Sequence, residues 1–129
     1  MIEYITPQEL NAQITSKNPN VLVIDVRREE EVKIGMIPGA VNIPYENFTQ
    51  NAVQEKVPNI QDYLVVAVHC MHSQMRGPIC AEKLARFYPS RSFTIYILKG
   101  GYEGYTKLFP IPPPPIATTP ETATVTTTN

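Results

Sequence analysis

The chain has 129 residues, with 11 Lys+Arg against 12 Asp+Glu, 13 Pro, 2 Cys and no Trp. That length suits one domain and leaves too little chain for two. The near-neutral balance lacks the basic field of a non-specific nucleic-acid binder, and two cysteines make neither a disulfide framework nor a four-thiolate zinc site.

The N-terminus reads Met1-Ile2-Glu3-Tyr4, with an acid where a signal peptide wants basic residues and then an apolar run. Thr6-Pro7-Gln8-Glu9-Leu10 has an N-cap residue, a proline at the first helical position and an acidic first turn, which predicts a helix to about Ser16 with Leu10 and Ile14 on one face. Val21 to Val26 is a mostly β-branched run, the pattern of a strand buried on both faces. Arg27 and Arg28, followed by Glu29-Glu30-Glu31, read as a capped turn with a solvated face. Ile37-Pro38-Gly39-Ala40 is a turn into a short strand at 41–43, and 46–57 is a weaker helical stretch. Tyr63 to His69 is a second buried strand, 78–88 a helix, 93–98 a third buried strand closed by Gly100-Gly101, and 102–109 a short helix. Buried strands alternating with helices predict an α/β fold with a parallel sheet, whose site lies beyond the carboxyl ends of the strands.

The chemistry-bearing segment sits at such an end. The strand reaching His69 runs into Cys70-Met71-His72-Ser73-Gln74-Met75-Arg76-Gly77-Pro78, and a helix follows. Five residues between Cys70 and Arg76 are enough to loop the backbone around a central point. The N–H groups of Met71, His72, Ser73, Gln74 and Met75 can then converge on an oxyanion, helped by the helix dipole. Arg76 closes the cradle, because its planar fork meets two oxygens at once. Cys70 is the expected nucleophile, since a thiolate at a helix N-terminus beside a cation is activated.

Three segments resemble a known superfamily. Val23-Ile24-Asp25-Val26-Arg27, Gly35-Met36-Ile37-Pro38-Gly39-Ala40-Val41-Asn42-Ile43-Pro44 and Tyr96-Ile97-Leu98-Lys99-Gly100-Gly101-Tyr102 are similar to the signatures of rhodanese-like domains, over about Tyr4 to Phe109. The resemblance implies a five-stranded parallel sheet with helices on both faces. A typical sulfurtransferase of that superfamily has four residues in its loop. A loop of five, with His69 before it and Gly77-Pro78 after it, resembles the M-phase inducer phosphatases and their small arsenate-reducing relatives. The resemblance implies that Cys70 attacks phosphorus or arsenic and Arg76 binds its oxygens. Three positions depart from the pattern. Met71 stands where the M-phase inducers carry a glutamate proposed as proton donor, Val26 where they carry a protective cysteine, and Gly77 where tyrosine phosphatases carry Ser or Thr. The Cys-rich zinc loop of the plant relatives has no counterpart.

The first expectation is therefore a cysteine-dependent phosphatase of the phosphotyrosine/dual-specificity type, working through a phosphocysteine. The second is an arsenate reductase using the same Cys70 and Arg76. A thiosulfate-type sulfurtransferase and a non-catalytic oxyanion-binding module rank below these. No cofactor or metal is expected. His69, Cys70, His72 and Cys80 are too tightly spaced for an ordinary zinc site, and an arsenate reductase of this type draws on an external thiol such as glutathione or glutaredoxin. Cys80 is read as a helical core residue, His69 as a buried group that orders the loop or tunes the thiolate, and His72 as a solvent-facing residue within reach of substrate. Ser73 is read as loop structure, and Arg28 as a weaker candidate for substrate contact. Expected partners are a phosphate or arsenate oxyanion and a phosphoprotein, with no nucleic acid and no membrane, and the chain is expected to be a monomer. A cytoplasmic location, with the nucleus as a second, follows the same reading.

Six prolines, seven threonines and a single charge, Glu121, fall in 110–129. That stretch is read as a disordered tail with a polyproline run at 112–115, outside a catalytic domain of residues 1–109. Without it, the domain carries 11 charges of each sign.

Overall fold

A computed structural model of the chain describes residues 2–112. Most of the proline- and threonine-rich stretch therefore lies outside the described residues. Of its first residues, Ile111 packs against the buried cluster that holds Tyr102 and Tyr105.

Five strands form one parallel sheet: β1 (Ile2–Ile5), β2 (Val21–Asp25), β3 (Val41–Asn42), β4 (Val65–His69) and β5 (Thr94–Leu98). Their spatial order is β1-β5-β4-β2-β3, so β4 runs through the middle of the sheet. Its register sets Asp25 of β2 beside His69, and Val68 beside Ile97 of β5. The helices are α1 (Pro7–Thr15), α2 (Glu29–Val32), α3 (Gln50–Lys56), α4 (Arg76–Phe87) and α5 (Gly101–Leu108). Among the described residues no helix is long and apolar enough to cross a membrane.

Side chains alternate through the sheet, and the two faces bury different layers. Leu22, Ile24, Val66, Val68, Ile95 and Ile97 meet Val53 of α3 and Cys80, Ala81 and Leu84 of α4. Val23, Ala67 and Leu98 meet Leu10 of α1 and Tyr102 and Tyr105 of α5. A sheet covered on both sides explains why its inner strands read as unbroken apolar runs. Tyr105 donates to the Asn11 Oδ1 at 3.0 Å, which ties α5 to α1.

The start of α1 is the predicted one. Glu9 N donates to the Thr6 hydroxyl at 3.1 Å, the Thr6 N donates to the Glu9 carboxylate at 2.9 Å, and Pro7 opens the helix. Elsewhere the elements differ from expectation in four places. The N-terminal segment forms β1, an edge strand with only Ile5 buried. The acidic run 29–31 forms α2, a single turn. The stretch 46–57 breaks into a 3-10 turn at Tyr45–Asn47 and α3, because Thr49 caps a new helix by accepting from Ala52 N at 3.1 Å. Helix α4 begins at Arg76 rather than Pro78. Proline tolerates any first-turn position, where no N–H partner is required. The buried stripe of α4 is Gly77, Cys80, Ala81 and Leu84.

Candidate active site

Cys70 lies one residue beyond the end of β4, free and almost fully buried. Ser73 takes a left-handed backbone conformation at φ 56°, which folds the loop back so that the Ser73 N–H donates to the Cys70 Sγ at 3.1 Å. Such a conformation is uncommon for a residue with a side chain and is held here by its surroundings. The Ser73 hydroxyl is buried without a partner among the described residues. Ser73 is thus a loop-shaping residue whose amide points at the sulfur. The N–H groups of Met71, His72, Gln74, Met75 and Arg76 have no protein partner among the described residues, which leaves them open to an anion.

Two donors fix the start of the loop from behind. Tyr102 N donates to the Cys70 carbonyl and Glu103 N to the Met71 carbonyl, both at 2.9 Å, so the N-terminus of α5 caps the loop. Gly101, at φ 62°, makes that approach feasible. A Cβ at this position would lie 2.6 Å from the Met71 carbonyl oxygen and 2.7 Å from that of Cys70. In the sequence the Gly-Gly pair read as a strand terminator, and its packing against the loop appears only in three dimensions. The second donor to the Cys70 carbonyl is the Nδ1–H of His69 at 3.0 Å. His69 is completely buried. Burial pushes its pKa down, against an opposing pull from Asp25, and the ring is therefore a neutral donor. Its Nε2 lies 3.8 Å from the Asp25 carboxylate, beyond hydrogen-bond range. Of the two roles expected for His69, ordering the loop is the one its contact supports.

Arg76, the first residue of α4, directs its fork at Glu31 of α2. Its two terminal nitrogens donate to the two carboxylate oxygens at 2.8 and 3.2 Å. The hydrogen bonds from Arg76 hold the Glu31 carboxyl at a pKa of about 2 and raise that of Arg76 itself. The expectation that residues 27–31 form a capped turn with a solvated face is therefore corrected for Glu31, and also for Arg27, which is wholly buried. Its side chain is three-quarters covered because it is the partner of the loop arginine across 45 residues of sequence. Nothing local distinguishes it from Glu29 and Glu30.

A second arginine fixes Glu31 in place. Arg27 is wholly buried and pairs with Asp25, its terminal nitrogen 2.8 Å from the carboxylate and its Nε 3.1 Å from both oxygens. It also donates to the Gly35 carbonyl at 2.7 Å and the Glu31 carbonyl at 3.3 Å, and it lies over the Tyr102 ring at 3.7 Å. The Asp25-Val26-Arg27 signature thus binds α2 to the sheet. Arg28, by contrast, pairs with Glu46 at 2.9 Å on the exposed surface.

The remaining loop side chains divide by environment. Met71 is partly buried against the α5 cluster, whereas Gln74 and Met75 are exposed. His72 is half-exposed, and its Nδ1 lies 2.7 Å from the Glu103 carboxylate on the first turn of α5. Cys80 sits in the core under α4, where burial pushes its thiol up to about 12. That environment keeps it from acting as a resolving thiol. Among the described residues no group of three or more His, Cys, Asp or Glu is placed to hold a metal ion.

A model of the rhodanese-like domain family matches residues 6–108, and the chain belongs to that family. The dual specificity phosphatase Cdc25 of Arabidopsis thaliana is 32% identical over 109 residues, covering 81% of this chain and 73% of the relative. The human M-phase inducer phosphatase 1 is 31% identical over 117 residues, again covering 81% of this chain but only 22% of that larger protein. Among solved structures, an As-Sb reductase from Leishmania major superposes with a TM-score of 0.72 at 24% identity, over 84% of this chain and 79% of the other. A yeast protein tyrosine phosphatase of the Rhodanese family gives 0.74 at 22% identity, over 84% and 86%. At those identities the two structures speak to the fold, which is the expected five-stranded parallel sheet between helices.

Proposed function

We propose that this rhodanese-family chain is a cysteine-dependent phosphatase. The observation that carries the reading is the free Cys70 sulfur, which receives the Ser73 amide at 3.1 Å inside a loop whose far end is Arg76. An N–H aimed at sulfur favours negative charge there, and the unpartnered loop amides are donors for the three peripheral oxygens of a phosphoryl group. In this mechanism the Cys70 sulfur attacks phosphorus in line with the leaving oxygen. The P–O bond breaks, and a phosphocysteine remains. Water then attacks phosphorus, releasing phosphate and returning the thiolate. Arg76 and the loop amides hold the charge that collects on the oxygens in both steps. Glu31 anchors two of the Arg76 donors, so the rest of the guanidinium is presented in a fixed orientation. The dual-specificity phosphatase relative supports this reading.

Met71 favours a second reading. Its apolar side chain stands beside the nucleophile where the M-phase inducers hold a carboxyl, as expected of a site that does not protonate an alkoxide. In an arsenate reductase, Cys70 forms a thiol–arsenate adduct, and an external thiol supplies the electrons. The burial of Cys80 makes that external thiol necessary.

The two readings are separated by assaying the wild type and Cys70→Ser for aryl-phosphate hydrolysis, thiol-dependent arsenate reduction and sulfur transfer from thiosulfate to cyanide. Hydrolysis that disappears in Cys70→Ser is the expected result. Arsenate turnover without phosphate release would overturn it in favour of the second reading, and dominant sulfur transfer would overturn both.

A further inference from the structure

Protonation of the leaving group has no assigned donor. The position after the nucleophile is Met71. Asp25 is buried and saturated by Arg27. Glu31 is held ionised by Arg76 and has no proton to give at neutral pH. His69 is buried with its N–H spent on the Cys70 carbonyl. One ionisable loop side chain is left at the mouth of the site, two residues beyond the nucleophile, and it is already oriented.

We propose that His72 is the general acid and base of this site, with Glu103 as its positioning residue; the inference rests on the phosphatase reading. Three contacts make the arrangement. The Glu103 carboxylate lies 2.7 Å from the His72 Nδ1. The Glu103 amide donates to the Met71 carbonyl at 2.9 Å, and the Tyr102 amide to the Cys70 carbonyl at the same distance. The first turn of α5 thus holds the loop backbone and the imidazole together, and places the carboxylate on Nδ1, which leaves Nε2 for the reaction. A carboxylate beside one ring nitrogen orients the ring and leaves the other nitrogen to carry the transferred proton. As the Cys70 sulfur bonds to phosphorus and the P–O bond breaks, the leaving oxygen takes the Nε2 proton and His72 becomes neutral, its Nδ1 still beside Glu103. In the second step Nε2 takes a proton from the attacking water, the S–P bond breaks, and phosphate and the thiolate are released. Protons balance over the cycle.

The bland alternative is an exposed ion pair, which contributes about 0–1 kcal/mol and nothing to chemistry. Leaving-group dependence separates the two. The experiment measures kcat/KM for the wild type, His72→Asn and Glu103→Ala on a series of aryl phosphates running from a nitro-substituted to an unsubstituted phenyl leaving group. Asn retains an N–H for Glu103 but cannot transfer a proton, and the exposed position should leave the melting temperature unchanged. A general acid is worth most on poor leaving groups, so His72→Asn is expected to lose about 10²-fold on phenyl phosphate and less than about threefold on the nitro-substituted ester. Glu103→Ala should shift the same slope in the same direction by a smaller amount. An equal loss across the series, or none, overturns the role of His72 while Cys70-dependent hydrolysis stands. Absence of hydrolysis in the wild type overturns the phosphatase reading and this proposal with it.

Discussion

The ends of β2 and β4 lie side by side in the sheet, Asp25 opposite His69, yet each is followed by an arginine in a different state. Arg27 is buried and saturated: a carboxylate, two carbonyls and an aromatic face take up its guanidinium. Arg76 is partly exposed and has one partner, Glu31, while the loop amides around it other than that of Ser73 have none among the described residues. A saturated cation builds a frame, and one with donors to spare can bind. Burial and hydrogen-bond satisfaction, more than residue type, separate the structural end from the reactive one.

Substitutions at the two ends should therefore fail in different ways. Arg27→Ala strands a buried Asp25 carboxylate and is expected to cost about 3–5 kcal/mol of stability, read from the urea midpoint. If that variant keeps wild-type stability, Arg27 is not the frame. Arg76→Lys keeps the charge but loses the fork. It should lower kcat/KM by about 10²–10³-fold, the usual cost of losing an oxyanion donor, with little change in the urea midpoint. A stability loss as large as that of Arg27→Ala would erase the contrast. Gly101→Ala pushes a Cβ against the Met71 carbonyl and should cost about 1–3 kcal/mol, with a loss of activity as the loop is displaced. Activity retained in a destabilised Gly101→Ala would show that α5 supports the fold without setting the loop.

The cysteines sharpen the same contrast. With its thiol at about 12 and no solvent access, Cys80 should resist iodoacetamide in the native state at pH 8, whereas Cys70 is modified first and phosphate slows it. Peptide mapping of the alkylated sites checks this. The smallest effect is the pH dependence of the Glu31–Arg76 pair. The carboxyl falls from an ordinary 4.5 to about 2 on folding, so its stabilisation is fully present above 4.5 and is lost as pH drops through 2. The urea midpoints of the wild type and Glu31→Gln should differ by an amount worth about 1 kcal/mol or less at pH 7, and should converge by pH 2.

Much of the frame is legible in the sequence for physical reasons. The inner strands are buried on both faces and therefore read as mostly apolar runs rich in β-branched residues, and the Thr6 to Glu9 capping box marks a helix start without tertiary help. The Cys70-to-Arg76 spacing locates the loop, because strand, loop and helix are contiguous. What escapes the sequence depends on distant partners. β1 buries one side chain, too few for a pattern, and is a strand because β5 offers it an edge. Glu31 is one acid among three until α2 is folded against α4. The His72–Glu103 pair joins residues that only the packing of α5 on the loop brings together.

The proposed mechanism requires Cys70 to become covalently phosphorylated during turnover. Rapid acid quenching of the wild type with an aryl phosphate labelled on phosphorus, followed by peptide mapping, tests it directly. Label is expected on the peptide that carries Cys70, approaching one per chain before steady state and absent in Cys70→Ser. Hydrolysis without label on that peptide, or label on any other residue, would contradict it.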